Sequence, residues 1–294
     1  MNAAPPAVGC IGLGGLGAPM ALNLLQAGFR LTVHNRHPER TAPLREAGAA
    51  VANTPAEAAA AADLLLICVS DDAAVEAVLF EQPGAAIQGL RPGALVIDCS
   101  TIAPASSCRL AARLAERDIG YLDAPVTGGT EGARAGTLSV LVGGNTTYLE
   151  RARPLLEVIG GRITHFGAVG AGQRAKAVNQ VLVAGSYAAV AEALALAERL
   201  GLDRTQVVQA LKGGAAGSWA LEHRSAAMIA DHYPLGFKLA LHRKDLAIAL
   251  AAAADAELTL PITAQVAALE DALISAGEGE QDVSVLARCF RVRD

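Results

Sequence analysis

The sequence is poor in aromatic residues, in cysteine and in clustered positive charge. Of its 294 residues only 3% are aromatic and five are cysteine, and the net charge is −5. A nucleic-acid surface usually shows a cluster of Lys and Arg, so the lack of one argues against this class of partner. The cysteines are odd in number and lack a CxxC pair, which predicts buried, reduced thiols and neither a disulfide framework nor a zinc site. The six histidines also lack metal-ligand spacing, so we expect no metal.

Signals for export and for membrane insertion are also missing. Met1–Ala7 has no positive segment followed by a long apolar one, as a signal peptide would. Ala177–Ala197 is long and nearly apolar, but Asn179, Gln180 and Glu192 interrupt it. A helix that is apolar all round is more often buried between domains or subunits. We therefore expect a cytoplasmic protein that self-associates and has no membrane partner.

Hydrophobic residues make up 52% of the chain, and their pattern differs between its two halves. The first half alternates short apolar runs with Ala- and Leu-rich segments, which predicts a mostly parallel, doubly wound sheet covered on both faces. The predicted strands are Val8–Ile11, Leu31–Val33, Leu64–Val69, Leu95–Asp98, Tyr121–Asp123, Val140–Val142 and Ile163–Phe166, and the predicted helices are Ala18–Ala27, Pro38–Ala47 and Ala105–Arg117.

Beyond Phe166 only helical patterns remain. The sequence therefore predicts an α/β Rossmann domain over residues 1–166 and an all-α domain over residues 167–294 that begins with a long interdomain helix. The predicted helices are Gln173–Leu200, Thr205–Leu211, Ala220–Ile229, Lys238–Ala254 and Pro261–Ala276.

A glycine-rich loop connects the first predicted strand to the first predicted helix. Gly12, Leu13, Gly14, Gly15, Leu16 and Gly17 spell GxGxxG. The pattern alone is weak, but between a strand and a helix it is typical of a dinucleotide-binding site. The first glycine permits the tight turn, the second lets backbone approach the pyrophosphate, and the third allows close helix–strand packing.

The end of the second predicted strand bears on the choice between NAD and NADP. NAD enzymes usually place Asp or Glu here to bind the ribose 2′-hydroxyl. This chain has Asn35 and Arg36, with Arg40 one helical turn on. The guanidinium of Arg36 suits a 2′-phosphate, which predicts a preference for NADP, with NAD possible. The alternative is that Arg36 is only a solvated loop charge.

Two further motifs can carry chemistry. The first, Asp123–Thr130, contains Thr127, Gly128 and Gly129, whose backbone N–H groups and hydroxyl could bind a carboxylate; a plain turn is the alternative. The second places Lys176 in the first turns of the long apolar helix, with Asn179 three residues on. A lysine among Ala and Val can act as a proton donor or acceptor; a surface lysine at a helix start is the alternative.

Together these motifs resemble the β-hydroxyacid dehydrogenase family, and they occur in the family's order along nearly the whole chain. The motif around Lys244 and the segment Gly213–Ser218 look closest to the tartronate semialdehyde reductase branch. The matching segments are Gly12–Leu24, Ser100–Ile102, Asp123–Gly129, Gly170–Asn179 and Phe237–Leu246.

The resemblance implies roles for these positions. Lys176 would be the general acid and base, Asn179 would orient substrate or lysine, and Thr127 with its two glycines would bind the substrate carboxylate. Thr101, Lys244, Val69 and Ser70 would lie along the cofactor. It also implies a homodimer or homotetramer formed through the helical domain.

Three positions depart from the family pattern: Leu16 replaces Met, Thr127 replaces Ser, and Gln180 stands where some members carry Asn. The last leaves open whether Asn179 or Gln180 is the working amide. For Trp219 the expectation is core packing, with a place in the substrate pocket as the alternative.

The expected reaction is NADPH-dependent reduction of a small 3-oxo acid such as 2-hydroxy-3-oxopropionate. Alternatives are oxidation of 3-hydroxyisobutyrate, an imine reductase-like activity, or a non-catalytic NADP-binding module.

Overall fold

A computed structural model describes residues 6–291 of the chain. The chain divides into two compact units, residues 1–176 and residues 177–294. The division falls within one long helix, ten residues beyond the end of the predicted first domain at residue 166.

The first unit is built on one sheet. Its strands are ordered β3-β2-β1-β4-β5-β6-β8-β7, and β9 pairs with β8. All pairings from β3 to β6 are parallel, while β8 runs antiparallel to β6 and β7. The strands are β1 (Ala7–Ile11), β2 (Arg30–His34), β3 (Ala50–Val51), β4 (Leu64–Ile67), β5 (Leu95–Asp98), β6 (Gly120–Asp123), β7 (Val126–Thr127), β8 (Leu138–Gly144) and β9 (Gly160–Gly167).

Helices cover both faces of this sheet, as the unalternated apolar strands predict. Residues on β4 and β5 alternate between two apolar clusters: Leu66 and Ile97 pack in one, and Leu65 and Val96 in the other. The predicted mostly parallel, doubly wound sheet is confirmed. Its helices are α1 (Gly17–Gln26), α2 (Ala42–Glu46), α3 (Pro55–Ala60), α4 (Asp72–Glu76), α5 (Pro104–Ala115), α6 (Gly129–Ala135) and α7 (Thr146–Ile159), followed by the start of α8 (Ala171–Arg199).

Some elements differ from the sequence prediction. The predicted helix Pro38–Ala47 is a 3-10 turn followed by the short α2. A π-helical turn, Ala77–Glu81, follows α4. The pattern also missed β3, β7, α3, α4, α6 and α7, because tertiary packing stabilises elements whose local signal is weak.

The second unit is helical, as predicted. The predicted helix Ala220–Ile229 is two short helices that meet at Arg224, whose φ of −120° interrupts the helical backbone. A buried apolar cluster that includes Leu239, Leu246, Val266 and Val283 holds the unit together. Its helices are the remainder of α8, then α9 (Arg204–Leu211), α10 (Trp219–His223), α11 (Ser225–Ala230), α12 (Leu239–Asp255) and α13 (Pro261–Ser275), with a final 3-10 segment, Val283–Cys289.

Helix α8 has an unusual length and composition. By these two criteria alone it could cross a membrane, with a mean hydropathy of 1.5 over its most apolar window. It nevertheless places the polar side chains of Gln173, Lys176 and Gln180 in buried positions. Because unsatisfied polar groups in lipid are costly, these residues are more typical of a core helix.

Candidate active site

The glycine loop after β1 has the shape that a dinucleotide requires. Gly12 has a φ of +93°, and a Cβ there would lie 2.2 Å from the carbonyl oxygen of Cys68. A Cβ on Gly17 would lie 1.9 Å from the carbonyl oxygen of Gly12, whereas one on Gly14 would meet no atom within 4 Å. Gly12 and Gly17 therefore permit close packing, and the backbone at Gly14 is open to a ligand. The N-terminus of α1 beside it has no acidic residue in its first turn, as suits an anionic ligand.

Asn35 and Arg36 lie just beyond β2 and differ in what they contact. The Oδ1 of Asn35 accepts from the N–H of Leu13 at 2.9 Å, and its Nδ2 donates to the carbonyl of His37 at 3.0 Å. Asn35 thus ties the glycine loop to the end of β2. Arg36 is exposed and forms no ion pair within residues 6–291. Its guanidinium is available to an anion near this loop.

The ends of β4 and β5 are joined through buried polar groups. The Oγ of Ser100 accepts from the N–H of Val69 at 3.0 Å, and the N–H of Ser100 donates to Oδ1 of Asp98 at 2.9 Å. Tyr121 donates its hydroxyl to Oδ2 of Asp98 at 3.0 Å. Burial raises the pKa of Asp98 to about 6, although these hydrogen bonds oppose the shift. These hydrogen bonds hold together the ends of β4 and β5, from which the segments that carry Ser70 and Thr101 extend.

Asp123 connects the end of β6 to the start of α8. Its two carboxylate oxygens accept from the N–H groups of Gly170 and Gln173 at 2.8 and 2.9 Å. The pKa of this carboxyl is raised, because the effect of burial exceeds the opposing effect of the backbone hydrogen bonds. The charge lies at the N-terminus of α8, where the helix dipole favours an anion.

The predicted carboxylate-binding loop follows Asp123 directly. Thr127 is half-buried at the end of β7, and Gly128 and Gly129 have φ values of +132° and +65°. Such φ values favour glycine, and consecutive backbone N–H groups at a turn of this kind can bind an anion. A Cβ on Gly15 of the glycine loop would lie 3.4 Å from Thr130, so the two loops are neighbours.

Lys176 is buried, with 6% of its surface exposed. It lies in the second turn of α8, one turn after Gln173, which is also buried. Its burial argues against the snorkelling surface lysine that the sequence left open. In the first unit the structure thus brings the glycine loop, the Asp123 loop and the start of α8 to the carboxyl edge of the parallel strands, where α/β sheets bind ligands.

The remaining predicted residues belong to the second unit and are linked to one another. Asn179 donates from Nδ2 to Oε1 of Gln180 at 2.6 Å, and Gln180 donates from Nε2 to Oδ2 of Asp245 at 2.8 Å. Asp245 also pairs with Nζ of Lys244 at 3.0 Å. Asp245 and Gln180 are buried, whereas Asn179 is half-exposed.

Sequence reasoning missed Asp98 and Gln173 as buried hydrogen-bonding residues of the first unit, and Asp245 as one of the second. The available signal was a polar residue within an otherwise apolar strand end or helix face, because buried polar groups need hydrogen-bond partners. Trp219 was expected in the core, but 44% of its surface is exposed, and the guanidinium of Arg224 lies 4.6 Å from its ring centre. The core prediction for Trp219 is therefore wrong.

The cysteines of the described residues are all free thiols. Cys10 and Cys99 are buried, and burial raises the pKa of Cys10 to about 12, so this thiol stays protonated and unreactive. Cys108 is exposed, contrary to expectation. Within residues 6–291 no group of three His, Cys, Asp or Glu side chains is arranged to hold a metal ion.

Comparison with known proteins identifies both units. Residues 7–167 match the family described as the NAD-binding domain of 6-phosphogluconate dehydrogenase. Residues 170–290 match the family described as NAD-binding of NADP-dependent 3-hydroxyisobutyrate dehydrogenase.

Individual relatives extend over almost the full chain. It is 41% identical to 2-hydroxy-3-oxopropionate reductase of Escherichia coli K12, covering 97% of each chain. It is 38% identical to an NAD-dependent L-serine dehydrogenase of Pseudomonas aeruginosa, covering 95% of this chain and 96% of the relative. The solved structure of Mycobacterium tuberculosis 3-hydroxyisobutyrate dehydrogenase with L-serine aligns with a TM-score of 0.86 at 33% identity, covering 98% of this chain and 99% of that one. The chain therefore belongs to the β-hydroxyacid dehydrogenase family, whose members are nicotinamide-dependent oxidoreductases that act on CH–OH groups.

Proposed function

We propose that this protein is an NADP(H)-preferring enzyme that interconverts a small 3-hydroxy acid and its semialdehyde, with 2-hydroxy-3-oxopropionate as its first candidate substrate. The observation that carries the proposal is that Lys176 is buried beside the predicted carboxylate-binding loop. Lys176 lies one turn after Gln173, whose N–H donates to Asp123, and Asp123 directly precedes that loop. The 41% identity to a 2-hydroxy-3-oxopropionate reductase supports the choice of substrate.

Different residues bind the substrate and transfer the proton in this reaction. The N–H groups of Gly128 and Gly129 and the hydroxyl of Thr127 bind the substrate carboxylate and orient the carbonyl. The bound nicotinamide supplies or removes the hydride. During reduction, Nζ of Lys176 donates a proton to the carbonyl oxygen as negative charge develops there; during oxidation, the same atom accepts the hydroxyl proton.

The working amide in this proposal is Asn179, and Gln180 orients it. A carboxylate only accepts hydrogen bonds, so Asp245 fixes Nε2 of Gln180 toward itself and leaves Oε1 to accept from Asn179. The acceptor Oδ1 of Asn179 then faces away from Gln180, where a donor such as a substrate hydroxyl or an ammonium group could reach it.

Cofactor binding uses the glycine loop and the residues around it. Gly12, Leu13, Gly14, Gly15, Leu16 and Gly17 cradle the pyrophosphate, and Arg36 binds a 2′-phosphate. Asn35 contributes by holding the N–H of Leu13. Val69, Ser70, Thr101 and Lys244 line the remainder of the cofactor. In this proposal the cofactor-binding domain spans residues 1–166 and the helical substrate and dimerisation domain spans residues 167–294.

The proposed protein is a cytoplasmic homodimer or homotetramer that contacts neither nucleic acid nor a membrane. An exposed apolar stripe along α8 supports self-association: Val178, Leu182 and Leu196 on the helix, and Leu200 just beyond its end, are each at least 59% exposed. Gly185, Ala189 and Ala193 continue this helical spacing between them. Small residues let a second helix approach closely, so the stripe suits α8 of a second copy.

L-Serine oxidation is the second candidate. The P. aeruginosa relative is named an L-serine dehydrogenase, and the M. tuberculosis structure is described with L-serine. L-Serine shares the carboxylate and terminal CH–OH of the first candidate's product. Oxidation of 3-hydroxyisobutyrate is the next alternative. An imine reductase or a non-catalytic module is disfavoured, because Lys176 suits proton donation to a carbonyl oxygen.

The test measures NADPH and NADH consumption with 2-hydroxy-3-oxopropionate, succinic semialdehyde and glyoxylate, and cofactor reduction with L-serine and 3-hydroxyisobutyrate. We expect the highest kcat/KM for NADPH with 2-hydroxy-3-oxopropionate. Lys176→Ala should lower kcat by about 100-fold or more while NADPH binding is retained, and Arg174→Gln, an exposed neighbour, is its control. Near-normal turnover in Lys176→Ala would remove Lys176 from the mechanism.

A further inference from the structure

The buried side chain of Gln173 binds the backbone on both sides of Thr101. Its Nε2 donates to the carbonyl of Ser100 at 2.8 Å, and its Oε1 accepts from the N–H of Ile102 at 3.3 Å. Because a carbonyl only accepts and an N–H only donates, this amide can take only one orientation. The side chain pairs with the residues that flank Thr101, as the N–H and C=O of one residue on a neighbouring parallel strand would.

The backbone of Gln173 is anchored at the same time to a different strand. Its N–H donates to Oδ2 of Asp123 at 2.9 Å. One residue at the start of α8 therefore connects the end of β5, through its side chain, with the end of β6, through its main chain. With 1% of its surface exposed, Gln173 exchanges these hydrogen bonds little with water, and both ends of its amide are satisfied.

Lys176 follows three residues later, on the same side of α8 and one turn further along. The position of its side chain therefore depends on where the first turn of α8 lies relative to Thr101. A displacement of about 1 Å between reacting groups can cost about 100-fold in rate.

We propose that Gln173 is a positioning residue that sets the distance between the cofactor-facing segment at Thr101 and the proton donor Lys176. The proposal rests on the proposed function, because it takes Lys176 as the donor and Thr101 as a cofactor contact. Gln173 itself touches neither substrate nor the reacting atoms; it acts through the two residues whose backbones it joins.

The test compares Gln173→Met, Gln173→Glu and Arg174→Gln. Methionine keeps the chain length and loses both hydrogen bonds, whereas glutamate keeps an acceptor for Ile102 but loses the donor to Ser100. Arg174 is the exposed next residue on the helix and is the control. For each variant, the stoichiometry and Kd of NADPH binding are measured by fluorescence, and kcat is expressed per cofactor-binding site.

We expect Gln173→Met to bind NADPH at full stoichiometry with a Kd raised about 3- to 10-fold, since the backbone around Thr101 loses its partners. Its kcat per binding site should fall about 10- to 100-fold. Its primary deuterium isotope effect, measured with NADPH deuterated at the transferred position, should be at least that of the wild type. Gln173→Glu should lose at least as much, and Arg174→Gln should stay within about twofold of the wild type.

A merely structural role has a different signature. It reduces the number of folded molecules, so binding stoichiometry and total activity fall together while kcat per site and the isotope effect stay unchanged; that result would overturn the inference. If Gln173→Met has the Kd and kcat of the wild type and Lys176→Ala is inactive, the inference about Gln173 is overturned and the proposed function stands. Near-normal turnover in Lys176→Ala would instead overturn the proposed function, and the inference with it.

Discussion

The side-chain amide of Gln180 donates to the buried carboxylate of Asp245 at 2.8 Å and, from its other end, accepts from Asn179 at 2.6 Å. Gln180 thereby transmits the fixed position of Asp245 to Asn179. Because Asp245 also pairs with Lys244, this one carboxylate is linked to two residues that the family resemblance assigns to the site.

The order of stability among Gln180 variants follows from this arrangement. Gln180→Leu leaves one oxygen of Asp245 without its donor and should lower the free energy of unfolding by about 1–3 kcal/mol. Gln180→Glu should cost more at pH 7, because it sets a second carboxylate against Asp245. Urea unfolding of both variants beside Leu258→Ala, an exposed residue that lies outside the apolar stripe of α8, checks this order. Equal stability of the Glu and Leu variants at pH 7 would contradict the pairing.

Arg36 should decide the preference between the two cofactors. Arg36→Ala removes a guanidinium that can form charge-assisted hydrogen bonds to a 2′-phosphate, so kcat/KM for NADPH should fall about 10- to 100-fold and that for NADH by less than about twofold. Because Arg36 is exposed, the NADPH preference of the wild type should weaken as salt is raised. Arg45→Ala is the control. An equal loss with both cofactors would show that Arg36 does not read the 2′-phosphate.

Asp98 should make stability depend on pH in a particular direction. Its pKa is raised from 3.8 to about 6 by burial, so the folded protein holds this proton more tightly than the unfolded chain. Its stabilising contribution is complete below about pH 4 and is lost as the pH rises through 6. The wild type should therefore lose up to about 3 kcal/mol relative to Asp98→Asn over this range.

Urea unfolding of the wild type and Asp98→Asn at pH 4, 5, 6 and 7 measures that difference, and subtracting the two series cancels the titration of groups that are not coupled to Asp98. A difference that stays constant with pH would show that Asp98 has an ordinary pKa in the folded protein.

The apolar stripe of α8 should mediate self-association. Leu182 is 68% exposed and lies on the stripe, whereas Leu258 is 59% exposed and lies outside it, after the end of α12. Leu182→Glu should shift the protein toward a monomer of 29.9 kDa in light scattering, and Leu258→Glu should leave the assembly unchanged. A wild type that is monomeric at every accessible concentration would exclude this role for the stripe.

The elements that the sequence predicted well are those with strong local signals. The apolar runs of β1, β4 and β5 are short and lie between helical segments, which is typical of buried parallel strands, and the glycine loop after β1 needs residues without a Cβ. The weak elements, such as β3 and the two-residue β7, depend on neighbours that the local sequence does not identify. The helix that was expected over Ala220–Ile229 has continuous helical composition, and only the backbone at Arg224 interrupts it.

The fold class, the glycine loop and a lysine within an apolar helix could all be predicted from the amino-acid sequence, because each depends on composition and spacing along the chain. The pairing of buried polar residues could be seen only in the folded structure. Gln173 reaches across 73 residues to Ser100, and Gln180 across 65 to Asp245. Such pairings arise because a buried amide must find partners wherever the fold places a carbonyl or a carboxylate, and no periodicity in the sequence records that position.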